Sequence, residues 1–292
     1  MHPNNPFQAD YDLDRLITAV PPLKKYLKKS KVGKLTLDFA KPEAVKLLNK
    51  ALLSTQFKIE FWDIPKDALC PAVPGRLDYL LYLADLFAAD NGGEIPKGKK
   101  VSILDIGVGA NCIYPILAQR HFGWRSVGTD IDGNSLKAAN AIVVANGLKK
   151  NIELRHQTHS DQIFTGVTVP QEQFDACICD PPFYASSAEA EENNARKWLK
   201  MGRANEYKRA VRNFAGRANE LATLGGEKAF VLQMVQESLA RPKLCRWYTS
   251  LLAKSQHETP IYQALKRAQV KRIEVIPMGQ GNKVSRMIAW QV

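Results

Sequence analysis

Val101-Ser102-Ile103-Leu104-Asp105-Ile106-Gly107-Val108-Gly109-Ala110-Asn111 is the stretch on which the fold turns. A short apolar run from Val101 to Ile106 reads as a strand, the glycines as a tight turn, and the residues to about Arg120 as a helix. Glycines at such a turn let a ligand approach the backbone, and the helix start offers unpaired N–H groups. Working outward, Ser126–Thr129 reads as a second strand, ended by Asp130, and Asp132 can cap a helix that stops at Asn146-Gly147. Ile152–Arg155, Phe174–Cys179 and Lys228–Val235 read as the third, fourth and fifth strands. Lys271–Ile276 and Val284–Trp290 close the chain as a hairpin. Strands separated by helices predict an α/β fold: seven strands, mostly parallel, with helices on both faces and one antiparallel strand at or near the edge.

Upstream, residues 1–95 read as an N-terminal, mainly helical extension and 96–292 as the sheet domain. Pro42–Leu53 has helical apolar spacing with proline in the first turn, and Arg76–Ala89 is similar, stopped by Asn91-Gly92-Gly93. The prolines at 65, 71 and 74 predict an irregular segment from Trp62 to Gly75 between them.

Composition narrows the function. The 292 residues are 45% hydrophobic and 24% charged, ordinary for a folded chain of this length and unlike a disordered one. No run of about 18 apolar residues exists, and the start lacks a secretory signal. Five scattered cysteines (70, 112, 177, 179 and 245) fit reduced thiols, so a cytoplasmic protein is expected. A net charge of +12 predicts a polyanionic partner. Its placement points to nucleic acid, since the charge falls in three groups. The first is Lys24, Lys25, Lys28, Lys29, Lys31 and Lys34. The second runs from Arg196 and Lys197 through Arg203 to Arg217, and the third from Lys266 to Arg286.

The glycine turn suits an adenosine ligand, because a carboxylate at Asp130 can take both ribose hydroxyls. A dinucleotide fingerprint would place a third glycine where Cys112 stands. Asp105 would repel a pyrophosphate but suits the ammonium of an amino acid. Adenosine joined to an amino acid is S-adenosylmethionine.

The strongest chemical signal is Asp180-Pro181-Pro182-Phe183, directly after the fourth strand. Two prolines fix an extended turn and remove two N–H donors, leaving carbonyls as acceptors. Asp180 adds a side-chain acceptor and Phe183 a flat apolar face, a combination suited to a planar exocyclic amine. Cys177 and Cys179 are expected on opposite faces of their strand and so not to share a zinc ion, and no metal site is expected. His156 and His159 lack partner ligands, although the loop Gln157-Thr158-His159 is placed to meet a cofactor adenine.

The chain resembles the bacterial 23S rRNA adenine(1618)-N6 methyltransferase F family, related to the human U6 small nuclear RNA N6-adenosine methyltransferase. The likeness runs through Trp62-Asp63-Ile64-Pro65, Leu69-Cys70-Pro71, Val73-Pro74-Gly75-Arg76, Leu104 to Pro115, Asp180 to Phe183 and Ile288-Ala289-Trp290. It implies a Rossmann-like class I methyltransferase with an N-terminal extension that grips RNA or covers the cofactor. S-adenosylmethionine would be the donor and 23S rRNA, or a large-subunit assembly intermediate, the acceptor, with the enzyme acting as a monomer. By resemblance Arg76, Gly107, Asn111, Asp130 and the loop Gln157–His159 contact the cofactor, beside Asp105 and Gly109.

Asp180, Pro181, Pro182 and Phe183 are expected to act on the amine, with Phe183 and Tyr184 stacking on the base. Lys24, Lys28, Arg196, Lys197 and Arg203 are expected to hold phosphates. Two departures stand out: the family usually carries Asn where this chain has Asp180, and Asn213-Phe214-Ala215-Gly216 stands where it tends to have Asn-Phe-Gly-Gly. Methylation of guanine N2, of a glutamine amide or of DNA adenine, and an assembly factor with a vestigial site, are the alternatives.

Overall fold

The computed structural model describes residues 1–30, 33–182, 184, 223, 225–280 and 283–292. Its centre is a seven-stranded sheet of β3 (Ser102–Ile106), β4 (Arg125–Asp130), β5 (Ile152–His156), β6 (Phe174–Cys179), β7 (Cys245–Leu252), β8 (Arg272–Gln280) and β9 (Lys283–Gln291). The order across the sheet is β5-β4-β3-β6-β7-β9-β8. The first five strands are parallel, whereas β9 is antiparallel to both neighbours, which makes it the reversed strand next to the edge. A separate hairpin, β1 (Leu27–Lys29) with β2 (Leu35–Leu37), belongs to the N-terminal part.

Helices α1 (Leu13–Ala19), α2 (Pro42–Phe57), α3 (Val73–Ala89), α4 (Ile113–Phe122) and α5 (Gly133–Ala145) precede α6 (Gly226–Ala240) and α7 (Glu258–Arg267) among the described residues. One buried cluster joins α1 to α5 with Ile103, Ala176, Ile178, Trp247 and Ala289 of the sheet. A second joins α6 and α7 with Leu104, Cys177, Cys179, Tyr248 and Ile288. The two sets alternate along each strand, as a sheet covered on both faces requires. The N-terminal helices and one sheet face therefore share a continuous core.

Local chemistry sets the boundaries. Asp132 accepts from Asn134 N–H and Ser135 N–H at the start of α5. Gly147, in left-handed backbone, follows its C-cap Asn146. Pro42 opens α2, which closes at Lys58 in left-handed backbone.

Three expectations are corrected. The expected fifth strand, Lys228–Val235, is the middle of α6, and the strand is Cys245–Leu252. A mostly apolar stretch of eight residues is ambiguous, but Val231, Met234, Val235 and Ser238 are buried at helical spacing. Val73, Pro74 and Gly75, placed in an irregular segment, form the first turn of α3, where proline loses no hydrogen bond. Cys177 and Cys179 share a face, because residues two apart in a strand point the same way. Both are buried, and among the described residues no group of three or more His, Cys, Asp or Glu is placed to hold a metal. Likewise, no described helix is long and apolar enough to cross a membrane.

Candidate functional site

The C-terminal ends of β3, β4 and β6 open onto one cavity, the position where parallel sheets bind ligands. Gly107, Gly109, Asp130, Gln157, Asp180 and Pro182 line it, and Arg76 of α3 reaches in from the N-terminal part. Gly107 sits at φ +79°, in the left-handed region, so the turn itself requires glycine there. The next strand also needs a glycine: a Cβ on Gly128 would lie 2.8 Å from Val108 Cγ2.

Asp130, Asp132 and Asp180 line the cavity, and Asp105 is buried close to Asp130 and Asp180. Asp130 accepts from Gly109 N–H on Oδ2 and from Asp132 N–H on Oδ1, both at 2.8 Å. Each oxygen keeps a lone pair for a hydroxyl. Burial raises its pKa above the ordinary value, and the backbone N–H groups of Asp132, Gly109 and Ile131 oppose that rise. Asp105 lies under the glycine turn, 1% exposed, with no hydrogen-bond partner on either oxygen. Burial pushes its carboxyl well above the usual range, Asp130 and Asp180 push it further, and Arg76 only partly offsets them. Asp180 meets Arg76 Nη1 at 2.6 Å.

Arg76 Nη1 also donates to Tyr114 Oη at 3.2 Å, and the guanidinium lies over the Tyr114 ring. Burial works against the Arg76 charge, yet Asp180, Tyr114 and Asp105 hold its pKa above normal. A guanidinium carries five donors, so it can serve a ligand anion as well. The cavity thus offers a half-satisfied carboxylate for hydroxyls and an arginine for an anion, with a buried, unpartnered carboxyl beside it for a cation. That set suits an amino acid carrying a polyol.

Of the other expected residues, Asn111 is mostly committed to the protein. It caps α4 through Ile113 N–H, donates to Leu69 O, and its carbonyl accepts from Trp62 Nε1. Gln157 lines the cavity while its amide braces the loop, accepting from His159 N–H and donating to Thr165 O. Thr158 and His159 are exposed, and the lining continues through Ser160, Gln162 and Ile163 instead. Pro181 is buried and Pro182 half-buried at the corner.

Phe183, Arg196, Lys197 and Arg203, with the segment 213–216, lie outside the described residues. Tyr184 is described, and Lys254 stands 5.6 Å from its ring centroid. Lys24, on the 3-10 turn Pro21–Tyr26, and Lys28, on β1, are exposed, and Lys28 pairs with Asp38 at 2.6 Å. The third basic group divides: Arg272 is tied to Asp90 and Glu274 and Arg286 to Glu258, so these two serve structure. Leu69, Pro71, Tyr114 and Phe230 also line the cavity, and no spacing in the sequence singles them out, because their placement depends on chain packing.

Sheet order, cavity position and lining together define a Rossmann-like enzyme that uses an adenosyl amino acid. Over residues 1–292 the chain belongs to the RNA methyltransferase family. It is 47% identical to ribosomal RNA large subunit methyltransferase F of Serratia proteamaculans (strain 568), covering 99% of this chain and 87% of that one. The protein of the same description from Yersinia pestis (strain Pestoides F) matches with the same identity and coverage. Among solved structures, the hMettl16 catalytic domain in complex with MAT2A 3′UTR hairpin 1 superposes with a TM-score of 0.84 at 28% identity, covering 100% of this chain and 95% of that one. The N-terminal domain of human METTL16 in complex with SAH gives a TM-score of 0.78 at 25% identity, covering 100% and 98%.

Proposed function

We propose that this chain transfers a methyl group from S-adenosylmethionine to the N6 amine of one adenine in 23S rRNA, position 1618 by resemblance. The observation that carries the reading is that Asp180 and Pro182 open onto the same cavity as Gly107, Gly109 and Asp130. An amine acceptor site and an adenosyl amino acid site therefore face one another. The residues fit the cofactor: Asp105 is a buried carboxylate without a partner, suited to its ammonium, and Asp130 has lone pairs left for ribose hydroxyls. When bound, S-adenosylmethionine supplies a methyl group activated by sulfonium.

The chain's own residues supply position and charge. Arg76 offers a cation for the amino-acid carboxylate and keeps Asp180 in place. Asp180 and the Pro181 carbonyl accept from the exocyclic amine, and Pro182 shapes the edge. Phe183 and Tyr184 stack on an adenine turned out of its helix, as chemistry on a base atom generally requires. Asp180 holds the amine with its lone pair directed at the methyl group, and the proton leaves afterwards to solvent. Holding the reactants in register supplies most of the rate.

Lys24 and Lys28 grip phosphates, with Arg196, Lys197 and Arg203 assigned the same role from sequence. Residues 1–95 serve as the extension that grips RNA and covers the cofactor, and 96–292 as the methyl-transferring domain. The enzyme acts as a cytoplasmic monomer on naked rRNA or on an assembly intermediate of the large subunit.

The test is methyl transfer to rRNA by Asp180→Ala, with Asp180→Asn as control and mass analysis of the nucleosides. N6-methyladenosine is the expected product, lost at least ~100-fold in the alanine variant and largely kept in the asparagine variant. Full activity in Asp180→Ala would remove Asp180 from the reaction. N2-methylguanosine as product would replace the acceptor.

A further inference from the structure

The corner is reached through the end of β6, and there the sheet is completed in an unusual way. Pairing of β6 with β7 runs Phe174–Cys245, Ala176–Trp247 and Cys177–Tyr248, and ends. In a parallel ladder the next residue, Thr249, would bond through its backbone to Cys177 O and Cys179 N–H. Where the ladder stops, two hydroxyls bind the same two groups. Thr249 Oγ1 donates to Cys177 O at 2.8 Å, and Cys179 N–H donates to Tyr79 Oη at 3.2 Å. The two hydroxyls are 2.7 Å apart. Because Thr249 gives its one proton to Cys177 O, Tyr79 must donate to Thr249. The relay runs Cys179 N–H, Tyr79 O–H, Thr249 O–H, Cys177 C=O, with each group used in one direction.

All of this is dry. Tyr79 and Thr249 are fully buried. The Tyr79 ring sits edge-on to Tyr114 at 5.5 Å, and Tyr114 in turn accepts from Arg76. Burial pushes the Tyr79 phenol well above its ordinary pKa, so its proton stays available to donate. The helix α3 therefore touches the corner twice, one turn apart: Arg76 on the Asp180 carboxylate and Tyr79 on the N–H just before it.

We propose that Tyr79 is a positioning residue for methyl transfer, acting with Thr249 as a side-chain rung that sets where Asp180 and the two prolines stand. The inference rests on the functional reading above. It gives α3, from the N-terminal part, a role in aiming the acceptor oxygens that is separate from cofactor binding. A shift of about 1 Å in such a corner is enough to cost on the order of 100-fold in rate.

The test uses the full chain with Tyr79→Phe, Thr249→Val and Thr249→Ser. Steady-state methyl transfer to rRNA is read together with calorimetric binding of S-adenosylhomocysteine and thermal unfolding. Tyr79→Phe and Thr249→Val should each lower kcat about 10- to 100-fold, with the Kd for S-adenosylhomocysteine changed less than about threefold. Thr249→Ser, which keeps the hydroxyl, should restore most of kcat. The double variant should lose little more than either single one, because both break one relay.

A folded Tyr79→Phe protein with wild-type kcat would overturn the proposal. So would a loss of kcat in Thr249→Val that Thr249→Ser does not recover, which decides the matter even if Tyr79→Phe fails to fold. If the wild-type chain methylates no RNA while it binds S-adenosylhomocysteine, the functional reading fails instead, and the two failures are distinct.

Discussion

The β3–β4 half of the cavity and the β6–β7 half are built by different means. In the first, a carboxylate and the N–H groups it holds come from neighbouring turns: Asp130 with Gly109 and Asp132. In the second, the corner at 177–180 is held by Arg76, Tyr79 and Thr249, which come from distant parts of the chain. The local half can form as soon as β3 and β4 pair. The corner requires α3 and β7 to be packed first, because its hydrogen bonds are side-chain bonds in a dry interior. Accuracy at the reacting amine thus depends on packing, whereas the ligand turn depends mainly on local sequence.

The largest effect on the corner is expected from Arg76→Ala, which also removes the cation offered to the cofactor. It leaves the Asp180 carboxylate without its ionic partner in a mostly buried setting, where removing one member of a pair costs about 3–5 kcal/mol. Methyl transfer should fall more than ~100-fold, with a lower unfolding temperature in a thermal scan. An unchanged melting point would show that the pair contributes nothing to the fold.

The other half is probed by Asp105→Asn, for which calorimetry should show cofactor affinity lowered roughly 10- to 100-fold. Without cofactor, the same variant should resist rising pH better than the wild type. The unfolded chain ionises Asp105 near pH 4, but burial raises the folded-state value. Below about pH 4 both states hold the proton. Above it the unfolded state loses its proton first, so wild-type stability declines as pH rises through the folded-state pKa. Unfolding curves at several pH values would show this slope in the wild type and not in Asp105→Asn.

Gly128→Ala tests whether the local half tolerates a methyl group. A Cβ 2.8 Å from Val108 Cγ2 forces a branched side chain against the glycine turn. A loss of about 1–3 kcal/mol in denaturant unfolding is expected, with cofactor binding weakened more than the corner's kcat. The smallest effect belongs to neither half. Lys24→Gln with Lys28→Gln should weaken RNA binding a few-fold and flatten its salt dependence by about one to two phosphate contacts. At saturating RNA, kcat should stay unchanged, since both lysines are surface groups, Lys24 on the 3-10 turn Pro21–Tyr26 and Lys28 on β1.

Legibility followed the same division. The glycine turn, Asp130, the Asp132 cap and the Asn146-Gly147 stop were readable because each works within a few residues. Asp180-Pro181-Pro182 was readable because prolines act on their own backbone. The segment 228–235 was misread because its apolar run fits strand or helix until the buried face is known. Thr158 and His159 were expected at the cofactor, but the loop turns them outward as Gln157 folds back onto His159 N–H. The third basic group looked like a polyanion surface, yet Arg272 and Arg286 close ion pairs whose acids lie elsewhere in the chain.

Sequence alone determined the first four strands and the closing hairpin, the glycine loop, the diproline corner and the surplus of positive charge, because these depend on backbone chemistry and short spacings. Only the tertiary structure decided that Arg76 would meet Asp180, that Asp105 would be left bare, and that two buried hydroxyls would hold the end of β6. The ion pair and hydrogen bonds among these residues join positions from 72 to 170 apart in the chain. Such contacts are set by how helices and strands pack to exclude water, and no local pattern carries that information.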